Sequence, residues 1–214
     1  MLPFHDVVPF LEASRVVDAR DFRFNHWTRS MDYPAHLHAQ VEMIYLLEGS
    51  LEVLIDDESR VMQAGDFAVA FPNHIHAYRA VDGVSADANI LFFIFFPQLV
   101  PDFESDIRDK TPASPFVTSA DMPSEAVLAL KRLALPEVRA REITTRAYLQ
   151  IVLDGVRDLL SLQKPTGRRR DLAYQALRYM TDHFRQPLTV QQVAQELGVN
   201  KNYLSGLFTK RLHM

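Results

Sequence analysis

The sequence predicts an α+β protein with an N-terminal β-domain followed by helices, and two patterns support this fold class. Up to about residue 97, short apolar runs alternate with turns rich in Gly, Pro and Asp, which is typical of a β-sandwich or β-barrel. From Ser124 onwards, apolar residues recur every three or four positions, as they do along the buried face of a helix. Of the 214 residues, 48% are apolar, so the chain can form a packed core.

Three apolar segments of the N-terminal part predict strands. Leu51, Val53 and Ile55 alternate with polar or outward positions, which indicates a strand. The run 67–71 ends at Pro72, where a strand can no longer donate its backbone hydrogen bond. The run 90–96 is too short for an ordinary helix and is rich in Phe, which favours a buried strand. We therefore assign residues 1–105 to one β-domain.

The next segment, residues 106–165, predicts two helices, one opening at Ser124 and a longer one over 137–163. The longer helix carries an apolar stripe that is too long for one face of a small β-domain to cover. We therefore expect this segment to pack against the β-domain and to join two chains into a homodimer. The candidate dimerisation residues are Tyr148, Val152, Leu159 and Leu162.

The C-terminal part differs from the rest in charge. A linker is predicted over 164–170, because Pro165 and Gly167 interrupt a helix and three arginines keep the chain solvated. Residues 165–214 carry eight Lys/Arg against three Asp/Glu, so their net charge is +5, whereas the whole chain has −4. A basic domain beside an acidic one is the electrostatic footprint of nucleic-acid binding. Helices are predicted over 172–184, 189–197 and 200–212.

The last two helices have the spacing of a helix-turn-helix. Thr189 and Gln192 are spaced as a capping box, and Gly198 suits the left-handed residue that ends a helix. Asn200 then caps a second helix, and Ala194 is small enough to let the two helices cross closely. An ordinary pair of packed helices has the same spacing, but the basic charge of the region favours DNA binding.

The segment 188–212 closely resembles the first helix-turn-helix of AraC-type transcriptional regulators, including the Tyr-Leu-Ser of 203–205 and the Leu-Phe of 207–208. The resemblance implies a bacterial regulator whose second helix enters the major groove of double-stranded DNA. The side chains expected to contact bases or phosphates are those of Asn200, Lys201, Asn202, Ser205, Thr209 and Lys210.

Two departures from the AraC-type pattern predict weak DNA binding. Gly206 stands where family members often carry arginine, so one polar contact is missing. Family members also have a second helix-turn-helix, and this sequence ends at Met214 before reaching one. We therefore expect residues 166–214 to form an incomplete DNA-binding unit.

A second pattern, His36-x-His38-x-x-x-Glu42 followed later by His76, predicts a metal or ligand site in the β-domain. On a single strand, residues 36, 38 and 42 would point to one face, because side chains alternate along a strand. His76 from a neighbouring strand would complete a set of three imidazoles and one carboxylate, which suits a divalent transition metal.

These residues resemble the two cupin motifs, with Ser30 and Asn73 at or near positions where the motifs carry glycine. The resemblance implies a cupin-like barrel that binds a small-molecule effector, with or without a metal. The stretch 65–78 also resembles the sensor domain of the arabinose-responsive AraC-type regulator, in which the tyrosine of this stretch lies in the sugar pocket. The expected pocket residues are therefore His36, His38, Glu42, His76 and Tyr78. Because 36–42 and 65–78 contain no Arg or Lys, the motifs disfavour a strongly acidic effector.

We expect a cytoplasmic, effector-responsive transcription regulator that is not an enzyme. The longest apolar run, 90–96, is far shorter than the roughly 20 residues of a membrane-spanning helix. The absence of cysteine excludes disulfides and thiolate catalysis. Two alternatives remain open: a metal-dependent cupin enzyme, such as a dioxygenase or isomerase, that uses the same four residues, and a cupin that only oligomerises and regulates a full-length relative.

Overall fold

The computed structural model describes residues 22–29, 31–81, 88–165, 172–183 and 188–209. The strands are β1 Phe22–Trp27, β2 Tyr33–His36, β3 Val41–Glu48, β4 Ser50–Ile55, β5 Glu58–Gln63, β6 Phe67–Ala70, β7 His76–Arg79, β8 Asn89–Phe95 and β9 Phe116–Val117. The helices are α1 Glu104–Asp109, α2 Ser124–Leu133, α3 Pro136–Arg139, α4 Glu142–Leu160, α5 Leu172–His183, α6 Val190–Glu196 and α7 Lys201–Leu207. Among the described residues, no helix combines the length and apolar character that crossing a membrane requires.

The strands form two antiparallel sheets, with the orders β1-β8-β3-β6-β9 and β2-β7-β4-β5. Alternate residues of both sheets meet in an interior cluster that includes Ile44, Leu46, Val53, Ile55, Tyr78, Ile90 and Phe92. The three predicted strands are present as β4, β6 and β8, so the α+β fold class is confirmed. The five-stranded sheet continues past the predicted boundary at residue 105, because β9 pairs with β6.

The turn between β5 and β6 depends on Gly65. Its φ is +89°, a conformation that L side chains rarely adopt, and a Cβ atom at this position would lie 2.7 Å from the Cβ of Ser119. The carboxylate of Asp66 accepts hydrogen bonds from the backbone N–H groups of Gln63 and Ser119. The Gly65-Asp66 pair therefore joins the β-hairpin to the loop that leads into α2.

The outer face of the five-stranded sheet packs against α2 and α4. Met43 and Phe93 from the sheet lie in one buried cluster with Leu130 of α2 and with Val152 and Val156 of α4. Val152 is fully buried in this cluster. The prediction that Val152 contacts a second chain is therefore wrong, because the chain's own core covers its side chain.

The long helix predicted over 137–163 is interrupted. It consists of the one-turn helix α3 and the longer α4, with an extended backbone at Arg141 between them. Arg139 lies at the end of α3, where its guanidinium donates to the carbonyl oxygens of Leu133 and Ala134 and stacks over the ring of Phe24. These contacts join the C-terminus of α2 to β1 and fix the chain direction before α4 begins.

The C-terminal helices begin and end as their capping residues predict. The Thr189 side chain accepts from the backbone N–H of Gln192, and the Gln192 side chain accepts from the backbone N–H of Thr189. Gly198 has a φ of +66° after α6, and the Asn200 side chain accepts from the backbone N–H of Asn202 at the start of α7. The linker residues 166–171 and the end of the helix predicted over 200–212 lie outside the described residues.

The C-terminal helices pack on the outer face of the four-stranded sheet. One buried cluster joins Leu37, Ile75 and Ala77 of this face to Leu177 and Met180 of α5. The same cluster continues through Val193, Ala194, Leu204 and Phe208. The strands β2 and β7 are therefore covered by helices on one face, while their other face turns towards the interior of the β-domain.

Candidate metal centre

His36, His38, Glu42 and His76 converge in the interior of the β-domain. One ligand atom from each residue lies within 4.8 Å of every other, and three of the four residues are fully buried. His36 ends β2, opposite His76 at the start of β7. Glu42 comes from β3, in the other sheet.

The prediction that residues 36, 38 and 42 share a face of one strand is wrong. The chain bends at Ala39 and Gln40, so β2 and β3 belong to different sheets. Glu42 points inwards because it alternates with the outward-facing Val41 and Met43 of β3. The cluster therefore spans the space between the two sheets.

Backbone carbonyl groups orient all three imidazoles. The Nδ1 atom of His36 lies 3.0 Å from the oxygen of Pro34, and that of His76 lies 2.9 Å from the oxygen of His74. The Nδ1 atom of His38 lies 3.2 Å from the oxygen of Gln40. Since a carbonyl oxygen only accepts, Nδ1 of His36 and of His76 carries the proton in these bonds, and their Nε2 atoms present lone pairs.

The carboxylate of Glu42 lies between the histidines and Tyr78. Its Oε2 is 2.9 Å from Nε2 of His38 and 3.5 Å from Nε2 of His76. Its Oε1 accepts a 2.6 Å hydrogen bond from the Tyr78 hydroxyl group. The two oxygens therefore have different partners, one phenolic and the other imidazole.

The three imidazoles have too few N–H groups to make hydrogen bonds at all of their close contacts with oxygen atoms. A bound cation would make the remaining contacts favourable. A neutral imidazole has one N–H group, yet His38 makes close contacts with oxygen acceptors at both nitrogens. The buried Nε2 of His76 has no hydrogen-bond partner among the described residues. Three imidazole nitrogens and one carboxylate oxygen are a suitable ligand set for a divalent transition metal, so the residues present fit such an ion.

Burial and mutual charge favour neutral His36 and His38 and ionised Glu42, the states in which these side chains can bind a metal. Burial, together with the neighbouring His76, holds the pKa of His36 well below its usual value. Burial also lowers the pKa of His38, although its hydrogen bond to Glu42 acts in the opposite direction. Burial raises the pKa of Glu42, but His38 and His76 outweigh that effect and hold it well below the usual range. Burial and the Glu42 charge raise the pKa of Tyr78 well above its ordinary value.

The metal-free protein is expected to lose stability as the pH falls below about 6.5, the usual histidine pKa. The unfolded chain then binds protons at His36 and His38, whereas their lowered pKa values keep them neutral in the folded chain. Because the unfolded state binds more protons, the free energy of unfolding decreases as the pH falls. Urea unfolding between about pH 7.5 and 5.5 measures this slope, and a His36→Gln, His38→Gln double variant is expected to flatten it. An equal slope in both proteins would contradict the assignment.

Two residues near the cluster were missed by the sequence motifs. Tyr33 packs edge-on against the ring of His36, with 4.5 Å between ring centroids. Arg23 of β1 is in register with Ile94 of β8, which is in register with Glu42, so the three side chains share the interior face. The interior face therefore includes a cationic side chain from outside the two motifs. The alternation of side chains along β1 could have identified Arg23 as inward-facing, but only if the order of the strands had been known.

A separate cavity of about 310 Å³ lies between the β-domain, α1 and α5. Its wall includes His74, whose Nδ1 is 2.6 Å from a carboxylate oxygen of Asp56, as well as Tyr174 and Arg178 of α5. None of the four clustered residues lines this cavity. The cavity and the histidine cluster are therefore distinct features of the β-domain.

Three of the six predicted DNA-contacting residues, Lys201, Asn202 and Ser205, lie on α7. Lys201, Asn202 and Thr209 are exposed and Ser205 is half-buried, whereas the Asn200 side chain caps the helix. A Cβ atom added to Gly206 would meet no atom within 4 Å, so this position can accept a side chain. Lys210 lies outside the described residues.

The predicted dimerisation residues are only partly available to a second chain. Leu159 is 42% exposed, whereas Tyr148 and Leu162 pack against the chain's own core. Two further exposed apolar side chains of α4 are Ile143, at 85%, and Ile151, at 41%. A surface of α4 is therefore apolar and accessible, but its residues differ from most of those predicted.

Residues 29–93 match the family model of the cupin domain, and the match contains all four clustered residues. The prediction of a cupin-like β-domain is confirmed by this match. No curated protein sequence matches the chain significantly.

Solved structures of regulators are similar to the chain at low identity. The AraC-like transcriptional activator CuxR has 14% identity and a TM-score of 0.46, over 88% of this chain and 70% of CuxR. ToxT from Vibrio cholerae has 10% identity and a TM-score of 0.48, over 90% of this chain and 76% of ToxT. A ToxT structure with bound unsaturated fatty acid has 9% identity and the same TM-score, over 89% and 73% of the two chains.

Proposed function

We propose that this chain is an effector-responsive bacterial transcription regulator. Its cupin domain would bind a small molecule at the buried histidine cluster, and its C-terminal helices would bind double-stranded DNA. The observation that carries the proposal is the presence, in one chain, of a convergent buried ligand set and of a capped helix pair with an exposed second helix. Since the helix pair shares one buried cluster with α5 and with the outer face of β2 and β7, occupancy of the two sites can be linked.

The α6–α7 pair supports the DNA-binding part of this proposal. Ala194 and Leu204 are buried in one cluster, so the two helices approach closely. The N-terminus of α7, with Lys201 and Asn202, remains exposed although α5 packs on the β-domain. In a helix-turn-helix, this end of the second helix faces the base edges of the major groove.

We expect weak, salt-sensitive DNA binding from this single helix pair. With one groove-facing helix and a net charge of only +5 over residues 165–214, few phosphates are neutralised. Fluorescence anisotropy with a labelled 30-base-pair duplex should give a micromolar Kd at low salt and a steep loss of affinity near 0.15 M salt. Lys201→Ala should weaken binding and reduce the salt slope by about one.

Lys131→Ala is the matched control, since Lys131 is exposed on α2, away from the C-terminal helices. Equal binding by the wild type and Lys201→Ala would contradict the placement of α7 on DNA. Nanomolar, sequence-specific binding at 0.15 M salt would instead mean that one helix pair is sufficient.

The metal centre supports the sensing part of the proposal. His36, His38, His76 and Glu42 would hold a divalent transition metal, which acts as a Lewis acid towards oxygen groups of a bound effector. Arg23, on the same interior face, carries a positive charge that could bind an anionic group.

A metal-dependent cupin enzyme is the second candidate, and the same buried ligand set favours it. The two candidate functions differ in whether they require the C-terminal helices. In a regulator, metal or effector binding changes the DNA affinity, whereas in an enzyme turnover continues when the α6–α7 pair is disrupted. DNA anisotropy measured with and without Co²⁺ therefore separates them.

We also propose that α4 joins two copies of the chain through its exposed apolar side chains. Ile143, Ile151 and Leu159 are exposed at intervals of eight residues, about two turns, so they follow a strip that winds around α4. We expect a dimer at micromolar concentration in sedimentation velocity, and a monomer for the Ile143→Asp, Ile151→Asp variant. Val61→Asp is the control, because Val61 is 45% exposed on β5. A monomeric wild type would rule out this interface.

A further inference from the structure

Tyr78 makes a hydrogen bond that gives it a different role from the one the sequence suggested. Its hydroxyl group donates to Oε1 of Glu42 over 2.6 Å. Both side chains are almost completely buried, with Tyr78 3% and Glu42 4% exposed. To donate its hydroxyl proton to an effector, Tyr78 would have to release a buried carboxylate oxygen, which is costly in a low-dielectric interior.

We propose that Tyr78 is a positioning residue that makes Glu42 a metal ligand through one oxygen only. This inference rests on the metal-binding part of the proposed function. The two oxygens of Glu42 have different surroundings: Oε1 accepts from Tyr78, while Oε2 lies 2.9 Å and 3.5 Å from the Nε2 atoms of His38 and His76. Oε2 is therefore the oxygen that a cation held by the histidines would meet.

The number of protein ligand atoms determines how many positions a metal keeps for other molecules. With Oε1 held by Tyr78, the chain offers three nitrogens and one oxygen. If Glu42 bound through both oxygens, it would occupy one more coordination position, at the expense of an effector or water. Tyr78 thus preserves an open position at the metal, which a sensing or reacting site requires.

The strand geometry explains why Tyr78 is suited to this role. His76 and Tyr78 are two residues apart on β7, so both point towards the interior. The Tyr78 ring is held by Phe92, with 5.2 Å between the ring centroids. A ring fixed in this way presents its hydroxyl group to Glu42 with little loss of side-chain entropy on bonding.

Co²⁺ titration of the full chain tests the inference, with the visible d–d spectrum as a second readout. Tyr78→Phe is expected to weaken Co²⁺ binding about 10–100-fold, the usual effect of losing an outer hydrogen bond to a ligand. The band shape and intensity should also change, because Glu42 becomes free to bind through both oxygens. Tyr45→Phe is the matched control: Tyr45 is buried on the opposite face of β3, and its removal should alter neither readout.

Infrared difference spectra of the wild type provide a measurement that needs no folded Tyr78 variant. Some carboxylate bands should shift on Co²⁺ loading and be absent in Glu42→Gln. The separation between the symmetric and antisymmetric stretches of these bands should be that of a carboxylate bound through one oxygen. Two-oxygen coordination in the wild type would overturn the inference. So would a Tyr78→Phe variant with unchanged affinity and spectrum. If the wild type binds no Co²⁺, the proposed metal site itself is wrong. The titration of the wild type separates this result from a failure of the inference about Tyr78.

Discussion

His76→Gln is expected to reduce divalent-metal affinity by at least about 100-fold, since loss of a ligand should exceed the 10–100-fold effect of losing an outer partner. His76 is 1% exposed, and its ring lies 4.0 Å from that of His36 and 4.9 Å from that of His38, between centroids. Its Nδ1 is bonded to a backbone carbonyl oxygen, so its Nε2 is directed at the cluster. Glutamine retains a polar group of similar size but lacks this imidazole nitrogen.

Isothermal titration with Co²⁺ or Ni²⁺ measures the effect of His76→Gln, and His26→Gln is the matched control. His26 is exposed on β1, where its Nε2 lies 2.6 Å from the Oδ1 of Asn89, and it should have no influence on metal affinity. If His76→Gln and His26→Gln bind the metal as tightly as the wild type, the four residues do not form a metal centre. Weakening in both variants would indicate a metal bound elsewhere on the chain.

Local signals in the sequence predicted the elements well, because each depends on a few neighbouring residues. The capping box at Thr189 and the positive φ of Gly198 follow from chemistry within one turn of chain. The convergence of the histidines with Glu42 was also predicted, but for an incorrect reason. Parity along one strand cannot reveal that the chain changes sheets between His36 and Val41.

Features that depend on long-range packing could not be predicted from periodicity. Val152 and Ile151 both belong to the apolar stripe of α4, yet Val152 is fully buried and Ile151 is 41% exposed. The difference arises because α2 and the five-stranded sheet cover one side of α4. Arg23 likewise reaches the interior face only because β1 pairs with β8, a partner almost seventy residues later in the chain.

The packing of α5 on the β-domain suggests how the two sites communicate. On β7, His76 and Tyr78 face the interior histidine cluster, while Ala77 between them faces the helices. A change in the β2–β7 pair on ligand binding therefore acts on the surface against which Leu177 and Met180 pack. If the chain binds DNA as proposed, coupling through this strand pair would be reciprocal, and DNA binding would alter ligand affinity by the same factor.

Leu204→Ala is expected to destabilise the helix pair by about 2–5 kcal/mol, the usual loss for a large-to-small change in a core. Leu204 is completely buried, and it shares its cluster with Val193 and Ala194 of α6 and with Phe208. Removing its side chain leaves a cavity at the crossing of α6 and α7. The orientation of α7, on which groove contacts depend, should then be lost, and DNA binding with it. Amide hydrogen exchange of α6 and DNA anisotropy measure the two effects separately.

Tyr203→Ala is the neighbouring control, because Tyr203 is 62% exposed and contributes little to packing. Its amide exchange should match that of the wild type, although its DNA affinity is free to change if the ring touches the duplex. Co²⁺ binding should persist in Leu204→Ala, since the metal ligands lie on the interior face of the β-domain. If α6 exchanges as slowly in Leu204→Ala as in the wild type, then Leu204 does not hold the two helices together. The α6–α7 pair would then not act as a helix-turn-helix in the way proposed.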